Sequence, residues 1–230
     1  MKKIVPLLLS LASLSSLCAQ VVIVNPGIPN KETAIYREQI GKDLSVLEQH
    51  ISHQIQDGHA WLEFRSLSQR ADLLLRLDPE NLFSYFSELT NKSKFNVIRR
   101  SNEVLENTTA AGKDELIISD FNALPIILRG FPWGARNFAR ISLLGTASSQ
   151  EFSFELTVIG KESLKLLGKS WECWKVQIGL SGFWGGLVGK TTLWFDTQAS
   201  HVLVRSEGPL AGPGSPSHIL ELKDYSATEN

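Results

Sequence analysis

The stretches FSFELTVIG (Phe152–Gly160), WECWKVQIGL (Trp171–Leu180) and TTLWF (Thr191–Phe195), with the sequel HVLVR (His201–Arg205), decide the fold. In the first, Phe152, Phe154, Leu156 and Val158 share one parity, and Ser153, Glu155 and Thr157 share the other. In the second, Trp174, Val176 and Ile178 alternate with Cys173, Lys175 and Gln177. A period of two is that of a strand with one buried and one wet face. Several such runs separated by short polar or glycine-rich breaks make an antiparallel meander. On this reading Phe154, Leu156, Trp174, Val176, Ile178, Leu193, Phe195, Val202 and Val204 line the concave, apolar side of the sheet.

Upstream, the same rhythm continues through His59–Ser68, Ala71–Leu77, the turn Asp78-Pro79-Glu80-Asn81, Leu82–Thr90, the polar break Asn91–Lys94, Phe95–Glu106 and Glu115–Ile118. Thr108–Asp114 reads as a loop, and Ser217–Tyr225 as the last strand. Residues 20–33, with Asn25-Pro26-Gly27 and Ile28-Pro29-Asn30, read as an extended arm, and 34–230 as one antiparallel domain. Two readings compete for 34–57. Ile35, Leu44, Leu47, Ile51 and Ile55 approximate helical spacing. Val46–Gln56 also reads as a strand that ends at Asp57-Gly58, a hairpin signal, and this is the preferred reading.

Ser119–Trp133 breaks the alternation. Ser119 or Asp120 can cap a helix, and Pro125 is tolerated in its first turn. Leu124, Ile127, Leu128 and Phe131 then fall on one side, and Gly130 and Pro132 end the element. One apolar helix among strands is expected to cover or plug a curved sheet.

The first nineteen residues predict export. Lys2 and Lys3 precede an apolar, serine-laced run from Ile4 to Leu17, and Cys18 and Ala19 lead into Gln20. That is a signal-peptide layout (residues 1–19) with cleavage between Ala19 and Gln20, and it is too short for a spanning helix. Lipidation at Cys18 is the competing outcome, but Leu17 is a large residue for the position before a modified cysteine. Removing 1–19 takes away two lysines and no acid, so the formal charge of −1 becomes −3. A weakly acidic chain offers no basic field for nucleic acid or for anionic lipid headgroups. Of the two cysteines, Cys18 and Cys173, only Cys173 survives cleavage, so no internal disulfide can form.

Motifs for chemistry fail on spacing. Gly189-Lys190-Thr191 lacks the upstream glycine of a phosphate-binding loop, since Trp184 stands there. Gly179-Leu180-Ser181-Gly182 is followed by Phe183 where a nucleophile elbow needs glycine. His50, His53 and His59 have no carboxylate or cysteine at ligand spacing; on a strand His50 and His53 face opposite ways, and on a helix they would share a face with His59 as a conceivable third ligand. No catalytic residue, metal or cofactor is expected. Six tryptophans mark the chain, and most read as core. Phe183-Trp184, padded by Gly182, Gly185, Gly186 and Gly189, reads as a contact loop suited to a lid, a partner or peripheral membrane contact.

The order of these segments resembles a bacterial envelope family catalogued as domain of unknown function 3108. The resemblance rests on LDPENL (Leu77–Leu82), LPIILRGFP (Leu124–Pro132), VIGKE (Val158–Glu162), CWKV (Cys173–Val176), TLWFD (Thr192–Asp196) and LVRSE (Leu203–Glu207), in order across roughly 34–225. The hairpin Leu180–Gly189 is longer than that pattern. The resemblance implies a mainly β fold: a curved antiparallel sheet, an open or half barrel like LolA, wrapped around one short helix. It also implies a periplasmic or envelope location in a Gram-negative-type bacterium and an apolar-ligand role, and it supplies no catalytic residue.

Two functions fit. One is a carrier holding an acyl chain or other apolar ligand, with Leu124, Ile127, Leu128, Phe131, Phe154, Trp174, Val176 and Phe195 around it. The other is a structural or interaction module of the envelope whose core is filled by its own side chains. Intact-mass analysis of the exported protein should show a chain beginning at Gln20. A diacylglyceryl group on Cys18 would replace that reading with an anchored lipoprotein.

Overall fold

The structure, a computed structural model, describes residues 21–101, 114–143, 154–182, 189–210 and 214–228. Among the described residues thirteen strands form one sheet. The first six are β1 (Lys31–Ile40), β2 (Asp43–Gln56), β3 (His59–Ser68), β4 (Ala71–Leu77), β5 (Ser84–Asn91) and β6 (Asn96–Ser101). Then come β7 (Glu115–Ile118), β8 (Phe138–Leu143), β9 (Phe154–Leu166), β10 (Lys169–Leu180), β11 (Thr191–Asp196), β12 (Leu203–Pro209) and β13 (Ser217–Thr228). The spatial order is β6-β5-β4-β3-β2-β1-β13-β12-β11-β10-β9-β8-β7. Two meanders are therefore sewn together where the first strand meets the last, ten residue pairs from Lys31↔Thr228 to Ile40↔His218. The sheet is open between β6 and β7, its two edges.

Residues 34–57 are strands, not a helix: β1 and β2 turn at Gly41-Lys42, and β2 and β3 at Asp57-Gly58. Both Asp57 and Gly58 take positive φ, 52° and 79°, which is the geometry that an Asp-Gly pair supplies cheaply. β1 begins at Lys31, within the segment read as an arm. Before it, Val21 and Ile23 are buried while Val22 and Val24 are exposed, so the arm keeps a period of two without a ladder. Asn25 fastens it to the LDPENL turn. Its side chain donates to the Pro79 carbonyl at 2.7 Å, and its backbone N–H donates to the Glu80 carbonyl at 2.7 Å.

β8 is a strand that no sequence signal above had singled out. It runs parallel to β7, with Glu115↔Arg140 to Ile118↔Leu143 in register. Parallel neighbours need a long crossover, and this one is 119–137. It carries α1 (Leu124–Ile127), a single α turn between two short 3-10 turns, Phe121–Ala123 and Leu128–Gly130. Asp120 caps the start by accepting from the Asn122 backbone N–H at 2.8 Å. The helical segment predicted over 119–133 is thus shorter and tighter than a regular helix. The crossover lies against the inner face: Leu124, Ile127, Leu128 and Phe131 join Leu62, Leu75, Leu156, Val176, Leu193 and Phe195 in one apolar cluster.

Antiparallel pairing sends alternate turns to opposite ends of the sheet. The connections 41–42, 69–70 and 92–95 lie at one end, with the end of β10, the start of β11, the end of β12 and the start of β13, and 57–58, 78–83, 167–168 and 197–202 lie at the other. Val202 and Val204 depart from the expected lining. They pack in a second cluster with Tyr36, Cys173, Trp194 and Leu222, next to a register shift in the β11–β12 ladder at Trp194/Phe195. A one-residue slip reverses parity, so simple alternation cannot be carried across it.

Val176 is fully buried in the main cluster, whereas neighbouring Lys175 reaches Glu162 at 2.7 Å on a partly exposed surface. Val176→Asp should lower unfolding stability by roughly 3 kcal/mol or more, because it buries an unpaired charge. Lys175→Asp should cost about 1 kcal/mol or less. Urea unfolding midpoints of the two variants check the register of β10.

Candidate functional site

The crossover is held by one buried ion pair. Arg129, in the turn after α1, is 3% exposed, and Glu32 of β1 is 5% exposed. The guanidinium donates from Nη1 to Glu32 Oε1 and from Nη2 to Oε2, both at 2.8 Å, and from Nε to the Ser200 carbonyl at 2.7 Å. Tyr225 donates its hydroxyl to Glu32 Oε2 at 3.2 Å. Tyr36 lies beside the pair and donates to the Leu203 carbonyl at 2.9 Å. Burial first, and then the Glu32 charge, push the Tyr36 hydroxyl well above its ordinary pKa. The next residue, Gly130, has no room for a side chain: a Cβ there would come within 2.4 Å of the Val24 carbonyl oxygen.

An aromatic stack fixes the far end of the crossover. Trp133 lies parallel to Trp174, centroids 6.0 Å apart, and tilts against Phe131 at 4.9 Å and Phe195 at 5.4 Å. Lys161 Nζ sits 4.6 Å from the Trp174 ring centre. This fills the space under β10 and β11 at the end that carries turns 57–58 and 197–202.

Toward the other end the filling stops, leaving a cleft of about 470 Å³. Phe121, Leu124 and Pro125 of the crossover form one wall. Phe154, Ile178 and Leu180 of β9 and β10 form another, and Leu193, Leu203 and Leu220 of β11–β13 the floor. Leu180, Gly189, Pro209, Leu210 and His218 border it at the end where β10 and β12 finish and β11 and β13 begin. The polar contributions are few: Gln49, Thr191, Ser206 and His218. His218 Nε2 is 3.0 Å from Glu38 Oε1, and Ser45 donates to Glu38 Oε2 at 2.7 Å. The hydrogen bond from His218 leads in holding the Glu38 carboxyl below its ordinary pKa, against its burial.

Of the eight apolar residues chosen from sequence, Leu124 and Phe154 border this cleft. Ile127, Leu128, Phe131, Val176 and Phe195 are in the continuous core beside it, and Trp174 is in the aromatic stack. They pack against one another because the crossover presses directly onto β10 and β11. Phe183, Trp184, Ala19 and Gln20 lie outside the described residues. Ile178 and Leu193 carried a readable signal, the parity of their strands. Leu203, Ser206 and Leu220 did not, since which residues of β12 and β13 reach the cleft depends on pairing between distant parts of the chain.

His50 and His53 have separate partners. His50 Nδ1 is 3.1 Å from the Thr33 hydroxyl, and His53 Nε2 is 3.2 Å from the Ile28 carbonyl. Among the described residues no three His, Cys, Asp or Glu side chains come together as a metal cluster. Burial pushes the Cys173 thiol up to about 12, so it is a protonated, unreactive group at neutral pH.

No family model matches the chain, and no curated protein does. The resemblance drawn from the motifs thus has no matching family model behind it. Among solved structures the chain is similar to a β-barrel-like protein of domain of unknown function 1849 from Brucella abortus, at 11% identity and a TM-score of 0.46, covering 91% of this chain and 100% of that one. It is also similar to the hypothetical lipoprotein YmcC from Escherichia coli, at 13% identity and a TM-score of 0.36, with 87% and 88% covered. A LolA superfamily protein from Nitrosomonas europaea matches at 10% identity and a TM-score of 0.20, with 90% of each chain covered. Likeness this distant transfers neither ligand nor activity.

Replacing Arg129 by Met should cost about 3–5 kcal/mol, because the buried Glu32 carboxylate would lose its partner. The double variant Arg129→Met/Glu32→Gln should recover a measurable part of that loss. Denaturant midpoints of the three proteins test whether this pair anchors the crossover.

Proposed function

We propose that the chain is an exported, non-catalytic envelope protein that holds an acyl chain or a comparable apolar ligand in the cleft beside α1. The observation that carries this reading is the cleft itself: about 470 Å³, apolar on two walls and the floor, beside the packed apolar cluster of the inner face. Ligand sites commonly span about 300–1,000 Å³, with mostly apolar linings and a few placed polar groups. Apolar surface of this extent gains free energy by leaving water, and an acyl chain supplies the missing contacts. The few polar groups, His218 and Ser206 on the wall and Gln49 from β2, suit a ligand that is largely hydrocarbon. Export rests on the leader read over residues 1–19.

The structural-module reading is favoured by one specific observation. Leu128, Val176 and Phe195 are 0% exposed, so much of the inner face is filled without a ligand. The two readings separate in one experiment. Delipidated protein should bind a fluorescent fatty acid, and Leu180→Glu, at the mouth of the cleft, should weaken binding by about tenfold or more, since a carboxylate would have to be desolvated against the chain. Solvent extraction of protein from its native envelope should release lipid. If no probe binds above background and no lipid is extracted, the module reading stands.

A further inference from the structure

The two ends of the sheet differ in charge. At the end where the cleft opens, the described residues of the connections 41–42, 69–70, 92–95, 181–190 and 210–216 include Lys42, Arg70, Lys92, Lys94 and Lys190 and no acid, and Asp120 at the start of the crossover is buried. At the opposite end the connections 57–58, 78–83, 167–168 and 197–202 hold Asp57, Asp78 and Glu80 and no lysine or arginine, and Arg136 at the end of the crossover is paired with Asp114 at 2.7 Å. Neither cluster is visible along the chain, where the basic residues are scattered from Lys42 to Lys190 in a sequence with net charge −1. Only the alternation of antiparallel turns collects them. Two of the five are paired with acids at strand ends, Arg70 with Asp43 at 3.1 Å and Lys92 with Asp72 at 2.6 Å. Lys42, Lys94 and Lys190 have no ion pair among the described residues.

The same end exposes large apolar side chains. Phe95, at the tip of the β5–β6 hairpin next to Lys94, is 95% exposed with φ 51°. A left-handed backbone is costly for an aromatic residue and cheap for Asn or Gly. Neither the turn nor the core therefore accounts for a phenylalanine there. Leu210, on the border of the cleft, and Leu44, beside the 41–42 turn, are exposed as well. Cations interleaved with exposed apolar side chains on a rim are the complement of a bilayer interface: ammonium groups meet lipid phosphates while the apolar groups enter the acyl boundary.

We propose that this basic rim docks the protein onto an anionic bilayer surface, with Lys42, Lys94 and Lys190 on the headgroups, Phe95 as the inserted anchor, and the cleft mouth facing the lipid. The docking claim stands apart from the cargo reading, because it predicts vesicle binding whether or not the cleft takes a fatty acid.

The test is co-sedimentation of the protein with vesicles of phosphatidylcholine alone and of phosphatidylcholine mixed with phosphatidylglycerol. Binding is expected only to the anionic vesicles and should weaken as salt rises. The triple variant Lys42→Glu/Lys94→Glu/Lys190→Glu should bind at least about tenfold more weakly. Phe95→Asn, which suits the left-handed turn and so spares the fold, should also bind more weakly. Ile55→Asn, an exposed apolar residue of β2 next to the 57–58 turn at the acidic end, should bind like the parent. Urea midpoints of all variants should match the parent. Absence of binding to anionic vesicles overturns the proposal. So does binding that the triple variant and Phe95→Asn leave unchanged, which would assign the rim to another occupant such as an acidic protein surface.

Discussion

A guanidinium and a carboxylate, each almost wholly removed from water, face each other between Arg129 and Glu32 where the crossover meets the first strand. Burying either charge alone would cost several kcal/mol, and the pair is tolerated because its hydrogen-bonding capacity is met by Ser200 and Tyr225 as well as by the partner. Four separate parts of the chain converge on it: the crossover, β1, the β11–β12 turn and β13. It fixes where the helical turns sit under the sheet. Everything near the cleft inherits its position from that placement.

The seam between β1 and β13 has a related role. Because the sheet is sewn through its termini and not through β6 and β7, the opening of the barrel falls in the middle of the sequence, where the crossover begins. Ser119 bridges that opening by donating to the Ser84 carbonyl, and Arg100 of β6 approaches Asp120 to 4.0 Å. The crossover thus both spans the gap and fills the space behind it. Its aromatic end packs under β10 and β11 through Trp133, while its start leaves room beside Phe121 and Leu124. A plug seated toward one end of a curved sheet leaves an apolar hollow at the other, and the cleft is that hollow.

Charge follows the same geometry. Lysines in separate hairpin turns come to one end of the sheet only because every second turn lies there. The basic rim and the acidic end are therefore properties of strand direction. They coincide with the cleft mouth because the plug sits toward the acidic end.

The sequence by itself determined the fold class. The parity of Phe154–Val158 and Trp174–Ile178, the Asp57-Gly58 turn and the apolar segment Leu124–Phe131 were enough for a curved antiparallel sheet around one short helical element. Local chemistry carries that information: side-chain alternation, turn residues of positive φ and a capping aspartate act within a few positions. Tertiary structure alone decided the rest. The parallel pairing of β7 with β8, the seam of β1 with β13 and the slip beside Val204 arise between residues far apart in the chain. So do the partnership of Arg129 with Glu32 and the need for Gly130 beneath Val24. The candidate site was half legible for the same reason. Leu124 and Phe154 could be read from periodicity, but which apolar residues fill the core and which border the hollow depends on where a buried ion pair holds the plug. No local pattern encodes that position.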